Sequence, residues 1–164
     1  MIVLVLGGTR SGKSGVAERI ASDFGAPVTY VATARCDPDD HDFATRIANH
    51  RAHRPAEWAT IEEPCDVTGA LARIEGTALV ESLGTWLANA SGFAAAVDAL
   101  CAALRDFAGD VVVVSEEVGL APLPVDDVAR RFVDALGECN TAVAQVADRV
   151  VLVVAGRTLE LGKP

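Results

Sequence analysis

The sequence predicts an α/β fold in three layers, with a mostly parallel sheet held between helices and an antiparallel strand at its C-terminal edge. Three observations carry this expectation: five short apolar runs, helical stretches that alternate with them, and a glycine-rich turn joining the first run to the first helix. Residues 2–6, 27–33, 77–81, 111–115 and 150–154 are short apolar runs rich in Val, Leu and Ile. Runs of that length and character read as strands buried on both faces, as a parallel sheet requires.

Between them, residues 14–24, 93–107 and 126–147 combine Ala, Leu and Arg with apolar spacing near three and four, and Asp126 stands where an N-cap belongs. Alternation of the two patterns implies right-handed crossovers and helices packed on the sheet. After the last run, Gly156 and the alternating RTLEL read as a strand that turns back along the edge. The 164 residues fit a single domain, residues 1–164, with enough chain to bury a core without staples. Between residues 34 and 66 the strand signals thin out and charges concentrate, which marks that stretch as chemistry grafted onto the scaffold.

Composition narrows the partners. The chain is 51% hydrophobic with a net charge of -9. That balance argues against nucleic-acid or membrane-surface binding, which needs a broad basic face. The first apolar run lacks a basic flank and is far too short to be a leader or a membrane span, so the expected location is cytoplasmic. The four cysteines at 36, 65, 101 and 139 form no C-x-x-C pair and no cluster with histidine. Buried or semi-buried thiols are therefore expected, with no zinc site and no disulfide framework.

The glycine-rich turn is Gly7-Gly8-Thr9-Arg10-Ser11-Gly12-Lys13-Ser14, which fits G-x-x-x-x-G-K-[ST] between a strand and a helix. Glycines let backbone N–H groups close around phosphate oxygens, and the following helix adds the positive end of its dipole. Lys13 is one of only two lysines among fourteen basic residues. A compact ammonium fits inside such a loop where the planar guanidinium fork does not. In this motif the lysine reaches the terminal phosphates and the Ser14 hydroxyl ligates Mg2+, so a nucleoside triphosphate site is expected. A second metal ligand belongs at the end of a neighbouring strand; Glu81 is the first candidate and Glu117 its competitor.

All three histidines, His41, His50 and His53, lie within thirteen residues. If residues 42–53 are helical, Phe43 and Ile47 share an apolar face, while Arg46, His50 and Arg54 share another. Neighbouring guanidinium groups disfavour imidazolium, and a neutral His50 is a nucleophile suited to a nucleotide α-phosphorus. A solvated polar face is the alternative from spacing alone. A metal site from His50 and His53 lacks a third ligand.

These segments resemble the bifunctional adenosylcobinamide kinase / adenosylcobinamide-phosphate guanylyltransferase family of cobalamin biosynthesis. The likeness rests on LGGTRSGKS, YVATA, RIANHRAHRPAEWATIE, VESLGTWLAN, SEEVGLAPLP and LGECN, which together span nearly the whole chain. It implies a P-loop NTPase (RecA-like) fold and two activities. One phosphorylates adenosylcobinamide with ATP or GTP; the other transfers GMP from GTP to adenosylcobinamide phosphate through a guanylylated histidine, which here is His50.

The resemblance also implies a nucleotide site built from Gly7, Gly8, Thr9, Arg10, Ser11, Gly12, Lys13 and Ser14, with Ala32, Thr33 and Ala34 at the end of the second strand. Arg51, Ala52, His53 and Arg54 follow the nucleophile, and Glu62 and Glu81 supply carboxylates. Glu62 can accept two hydrogen bonds from a guanine edge; a magnesium or structural role is its rival. Family members suggest a homotrimer. Asn49 stands where some members have a second histidine, Glu116 replaces the usual asparagine of N-E-V-G, Ala121-Pro122-Leu123 replaces a G-I-V run, and the chain is shorter between Asn89 and Phe93. These changes bear on the kinase acceptor. An ordinary P-loop small-molecule kinase and a GTP-binding module without turnover are the alternative readings.

Overall fold

In this computed structural model, residues 1–25, 27–35 and 55–163 are described. Their strands are β1 (Ile2–Gly7), β2 (Val28–Ala32), β3 (Ala59–Glu62), β4 (Thr77–Glu81), β5 (Asp110–Glu116), β6 (Arg149–Val154) and β7 (Arg157–Leu161). They form one seven-stranded sheet in the order β3-β2-β4-β5-β1-β6-β7. Every pairing is parallel except β6 with β7, the antiparallel edge that RTLEL predicts.

Strand parity divides the core in two, because successive side chains of a strand point to opposite faces. Val3 and Val5 of β1 and Val112 and Val114 of β5 face one way, where they pack with Val16, Ala17 and Ala21 of α1 (Lys13–Phe24). Leu4, Leu6, Val111 and Val113 face the other way. There they meet α2 (Val67–Leu71), α3 (Leu83–Asn89), α4 (Val97–Asp106) and α5 (Asp127–Val146). A sheet apolar on both faces and covered by helices on both is the three-layer architecture expected from the unbroken runs.

Three expectations need correction. The stretch from 34 to 66 contains β3, whose residues Ala59, Thr60 and Glu62 are exposed. An edge strand pairs on one side only, and here Ile61 alone of its residues packs against the core, so no apolar run announces it. The helix expected from residue 93 begins at Val97, because Gly92 and Phe93 both take positive φ in a 3-10 turn at Ser91–Phe93. Cys101 and Cys139 are buried, but Cys65 is exposed. Cys36 and the helix expected over 42–53 lie outside the described residues.

Short polar side chains cap the starts of three helices. Asp126 Oδ1 accepts the Ala129 N–H at 2.9 Å, the cap foreseen for α5. Asp66 and Ser82 do the same for α2 and α3, which are too short to show periodicity. The Gly69 N–H and then the Thr68 hydroxyl hold the Asp66 carboxyl below its ordinary range.

Replacing Asp126 by Ala removes one cap and is expected to cost about 1 kcal/mol, read as a lower urea midpoint with an unchanged slope. Burial pushes the Cys139 thiol up to about 12 from an ordinary 9.0. The native state keeps a proton that the unfolded chain releases, so stability is full below about pH 9 and falls as pH rises from there. Denaturation midpoints measured from pH 8 to 11 are expected to decline, and to decline less steeply in Cys139→Ala.

Candidate active site

β1 ends at Gly7 and α1 begins at Lys13, so the glycine-rich turn lies at the carboxyl end of the sheet, where α/β proteins bind ligands. The turn closes on itself through Ser11 N–H to Gly8 O at 3.2 Å and is tied to the β6–β7 turn by Gly156 N–H to Ser11 O at 2.8 Å. Gly7 has no room for a side chain: a Cβ there would meet Ser11 Oγ at 2.5 Å and Val153 O at 2.8 Å. Gly12 precedes the helix with φ at 92°, a left-handed conformation suited to glycine, and no side chain caps the helix start. The first-turn N–H groups are thus left for an anion. Ser11 Oγ is buried without a hydrogen-bond partner, a polar atom oriented inside the loop that a phosphate oxygen would satisfy.

Both functional side chains of the loop meet carboxylates. Ser14 Oγ donates to Glu81 Oε1, and Tyr30 OH donates to Glu81 Oε2 at 3.0 Å. Lys13 Nζ lies 3.6 Å from Glu116 Oε1, with Lys13 well covered. Parallel register brings these acids together. Ala32 pairs with Glu62 on one side and with Glu81 on the other, and Gly7 pairs with Glu116. A hydroxyl beside a carboxylate is a hard oxygen donor set, which fits Mg2+. Of the two acids named as candidates, Glu81 is the one beside the Ser14 hydroxyl, whereas Glu117 Oε1 accepts the Gly119 N–H at 2.7 Å.

Glu116 was legible only as a departure, yet its carboxylate is among the most firmly placed groups in the cleft. Its Oε2 accepts the Gly84 N–H at 3.1 Å and the Ser82 hydroxyl at 3.2 Å. Asn140, buried on α5, donates to Glu116 O at 3.0 Å and accepts from the Ser115 hydroxyl at 2.6 Å. Residue 116 is the last of β5, where the strand end meets the start of α1 through Lys13 and the start of α3 through Gly84, a meeting that no local pattern announces.

Of the residues ending β2, Thr33 is fully buried and braces the strand end. Its Oγ1 accepts the Ser82 N–H at 2.7 Å, donates to Ser82 O at 2.8 Å and touches Thr85 Oγ1. Ala32 and Ala34 stay partly exposed beside it. Glu62 is exposed at the end of β3, as base recognition would need. His50, Arg51, Ala52, His53 and Arg54 lie outside the described residues. Among those described, no helix is long and apolar enough to cross a membrane.

The chain matches the family described as cobinamide kinase / cobinamide phosphate guanyltransferase over residues 3–161. It is 40% identical to the bifunctional adenosylcobalamin biosynthesis protein CobP of Pseudomonas aeruginosa, covering 98% of both chains. It is 36% identical to the bifunctional adenosylcobalamin biosynthesis protein CobU of Salmonella typhimurium, covering 95% of this chain and 97% of that one. Among solved structures, it resembles a KaiC-like protein from Pyrococcus horikoshii with a TM-score of 0.51 at 14% identity, over 93% of this chain and 71% of that one. A second Pyrococcus horikoshii structure gives 0.53 at 9% identity, over 97% and 84%; these two likenesses concern the fold alone.

Replacing Gly7 by Ala forces a methyl group into the loop. The expected result is a stability loss of about 1–3 kcal/mol by urea denaturation, together with loss of triphosphate binding by equilibrium dialysis.

Proposed function

The chain belongs to the cobinamide kinase / cobinamide phosphate guanyltransferase family, and from that premise we propose that it carries out both reactions at one nucleotide site in residues 1–164. It phosphorylates adenosylcobinamide with ATP or GTP, then transfers GMP from GTP to adenosylcobinamide phosphate. The observation that carries this reading is the convergence of Lys13, Ser14 and Glu81 at the carboxyl ends of β1 and β4, in a chain whose family match runs almost end to end.

In the kinase step the cobinamide hydroxyl oxygen attacks the γ-phosphorus, the bond to the β-phosphate oxygen breaks, and the hydroxyl proton is lost as the nucleoside diphosphate leaves. The loop N–H groups from Gly8 to Ser14 and the Lys13 ammonium hold the phosphate oxygens in line and offset their charge. Ser14 and Glu81 are the residues that would hold Mg2+, which when bound supplies charge neutralisation at the phosphates.

In the second step the neutral imidazole of His50 attacks the α-phosphorus of GTP, forming a P–N bond and releasing pyrophosphate. A phosphate oxygen of adenosylcobinamide phosphate then attacks the same phosphorus, the P–N bond breaks, and adenosylcobinamide-GDP is formed with His50 restored. Arg51 and Arg54 are placed by sequence to steady the phosphates in bidentate fashion, and Glu62 to accept two hydrogen bonds from guanine. The sequence RIANHRAHRP and the acid at the end of β3 support these assignments.

Incubation with magnesium and GTP labelled at the α-phosphate, followed by denaturation, is expected to leave acid-labile, alkali-stable label on the protein. His50→Ala is expected to take up none. Label in that variant would reassign the nucleophile; label only from the γ-position would reduce the function to phosphoryl transfer.

A further inference from the structure

The two side chains that a phosphate loop offers its ligand are not equally available here. Ser14 donates to Glu81, the acid that would hold Mg2+ with it. Lys13 instead faces Glu116, an acid with its own fixed seat. That seat does not depend on the lysine, because Glu116 Oε2 is held by the Gly84 N–H and the Ser82 hydroxyl. It also excludes a side chain at Gly84, where a Cβ would fall 2.1 Å from Oε2. Asn140 fixes the backbone beneath it. When Lys13 turns toward a phosphate, the carboxylate therefore stays in place and faces the incoming negative charge. Both groups are mostly covered, with side-chain exposures of 12% for Lys13 and 29% for Glu116, so water screens that repulsion only in part.

We propose that Glu116 is a positioning residue acting through Lys13. It competes with the terminal phosphates for the ammonium and so sets how loosely this protein holds a nucleoside triphosphate. The inference rests on the nucleotide site proposed above. Binding exchanges a carboxylate for a phosphate oxygen at Lys13, and release exchanges it back. A site that must discharge a nucleoside diphosphate after one reaction and pyrophosphate after another gains from such an internal competitor, since product release often limits turnover. The competitor acts only on phosphates that reach Lys13. It discriminates between GTP, whose terminal phosphates do, and GMP, whose single phosphate does not.

The test compares dissociation constants of Mg-GTP and GMP for the full chain and for Glu116→Gln, Glu116→Asn and Glu116→Asp, with thermal unfolding measured on each. Glu116→Gln keeps an oxygen for Gly84 and Ser82 but removes the charge, and is expected to bind Mg-GTP about tenfold more tightly, with GMP changed less than about twofold. Glu116→Asn, a second neutral side chain, is expected to show the same preference for GTP. Glu116→Asp retains the charge and is expected to stay near the unaltered protein. The gain should shrink at high salt. Unchanged or weaker Mg-GTP binding in a folded neutral variant would overturn the inference, as would an equal gain for GMP or an equal gain in Glu116→Asp. Absence of any Mg-GTP binding by the unaltered protein would overturn the underlying nucleotide reading, and this inference with it.

Discussion

Parallel pairing of β1 with β5 on one side and β6 on the other is the constraint on which the rest of the structure depends. Parallel strands all end on the same side of the sheet, so register decides which residues become neighbours there. Gly7 meets Glu116 on one flank and Val153 on the other. The glycine loop then has to turn between a carboxylate and a backbone carbonyl, and the space left at Gly7 admits no side chain. Shifting the register by one residue would reverse the parity of the central strands, exchanging the face covered by α1 for the face covered by α2 to α5. The core and the cleft are therefore set by the same pairing.

Polar groups in the cleft form a connected set at the ends of β2, β4 and β5. Thr33, Ser82 and Thr85 satisfy one another where β4 gives way to α3, Ser82 passes a hydrogen bond to Glu116, and Asn140 secures both Ser115 and Glu116. Buried polar groups are costly when unpaired and rigid when fully paired. Beside this set, Ser11 Oγ is buried and unsatisfied inside the loop after β1. Rigid walls with an unsatisfied donor inside them describe a site prepared for an oxygen-rich ligand.

The charge balance looks paradoxical for a protein read as binding triphosphates, since the chain carries -9 overall. Local construction resolves it. Backbone N–H groups, the start of α1 and one shielded lysine make a small positive focus, while Glu81 and Glu116 at the strand ends stand against the Ser14 hydroxyl and the lysine ammonium. Such a site attracts phosphate over a few ångströms without giving the surface a general affinity for polyanions.

Much of this was legible in the amino-acid sequence. Unbroken apolar runs announced β1, β2, β4, β5 and β6, alternation announced β7, and G-x-x-x-x-G-K-[ST] announced the loop, because each is a local pattern whose physical cause lies within a few residues. β3 was not legible, since an exposed edge strand carries no apolar signature, and neither were α2 and α3, whose five and seven residues are too few for an apolar period to repeat. Ser14 and Glu81 were named in advance and do meet. That Glu116 faces Lys13 was decided by the fold, since the end of β5 meets the starts of α1 and α3 only once helices have packed on both faces of the sheet. Sequence alone determined the kinds of element and the phosphate chemistry of the loop. Tertiary structure decided which acids attend its lysine and serine, because residues separated by tens or by a hundred positions become neighbours only through strand register and the packing of helices on two faces.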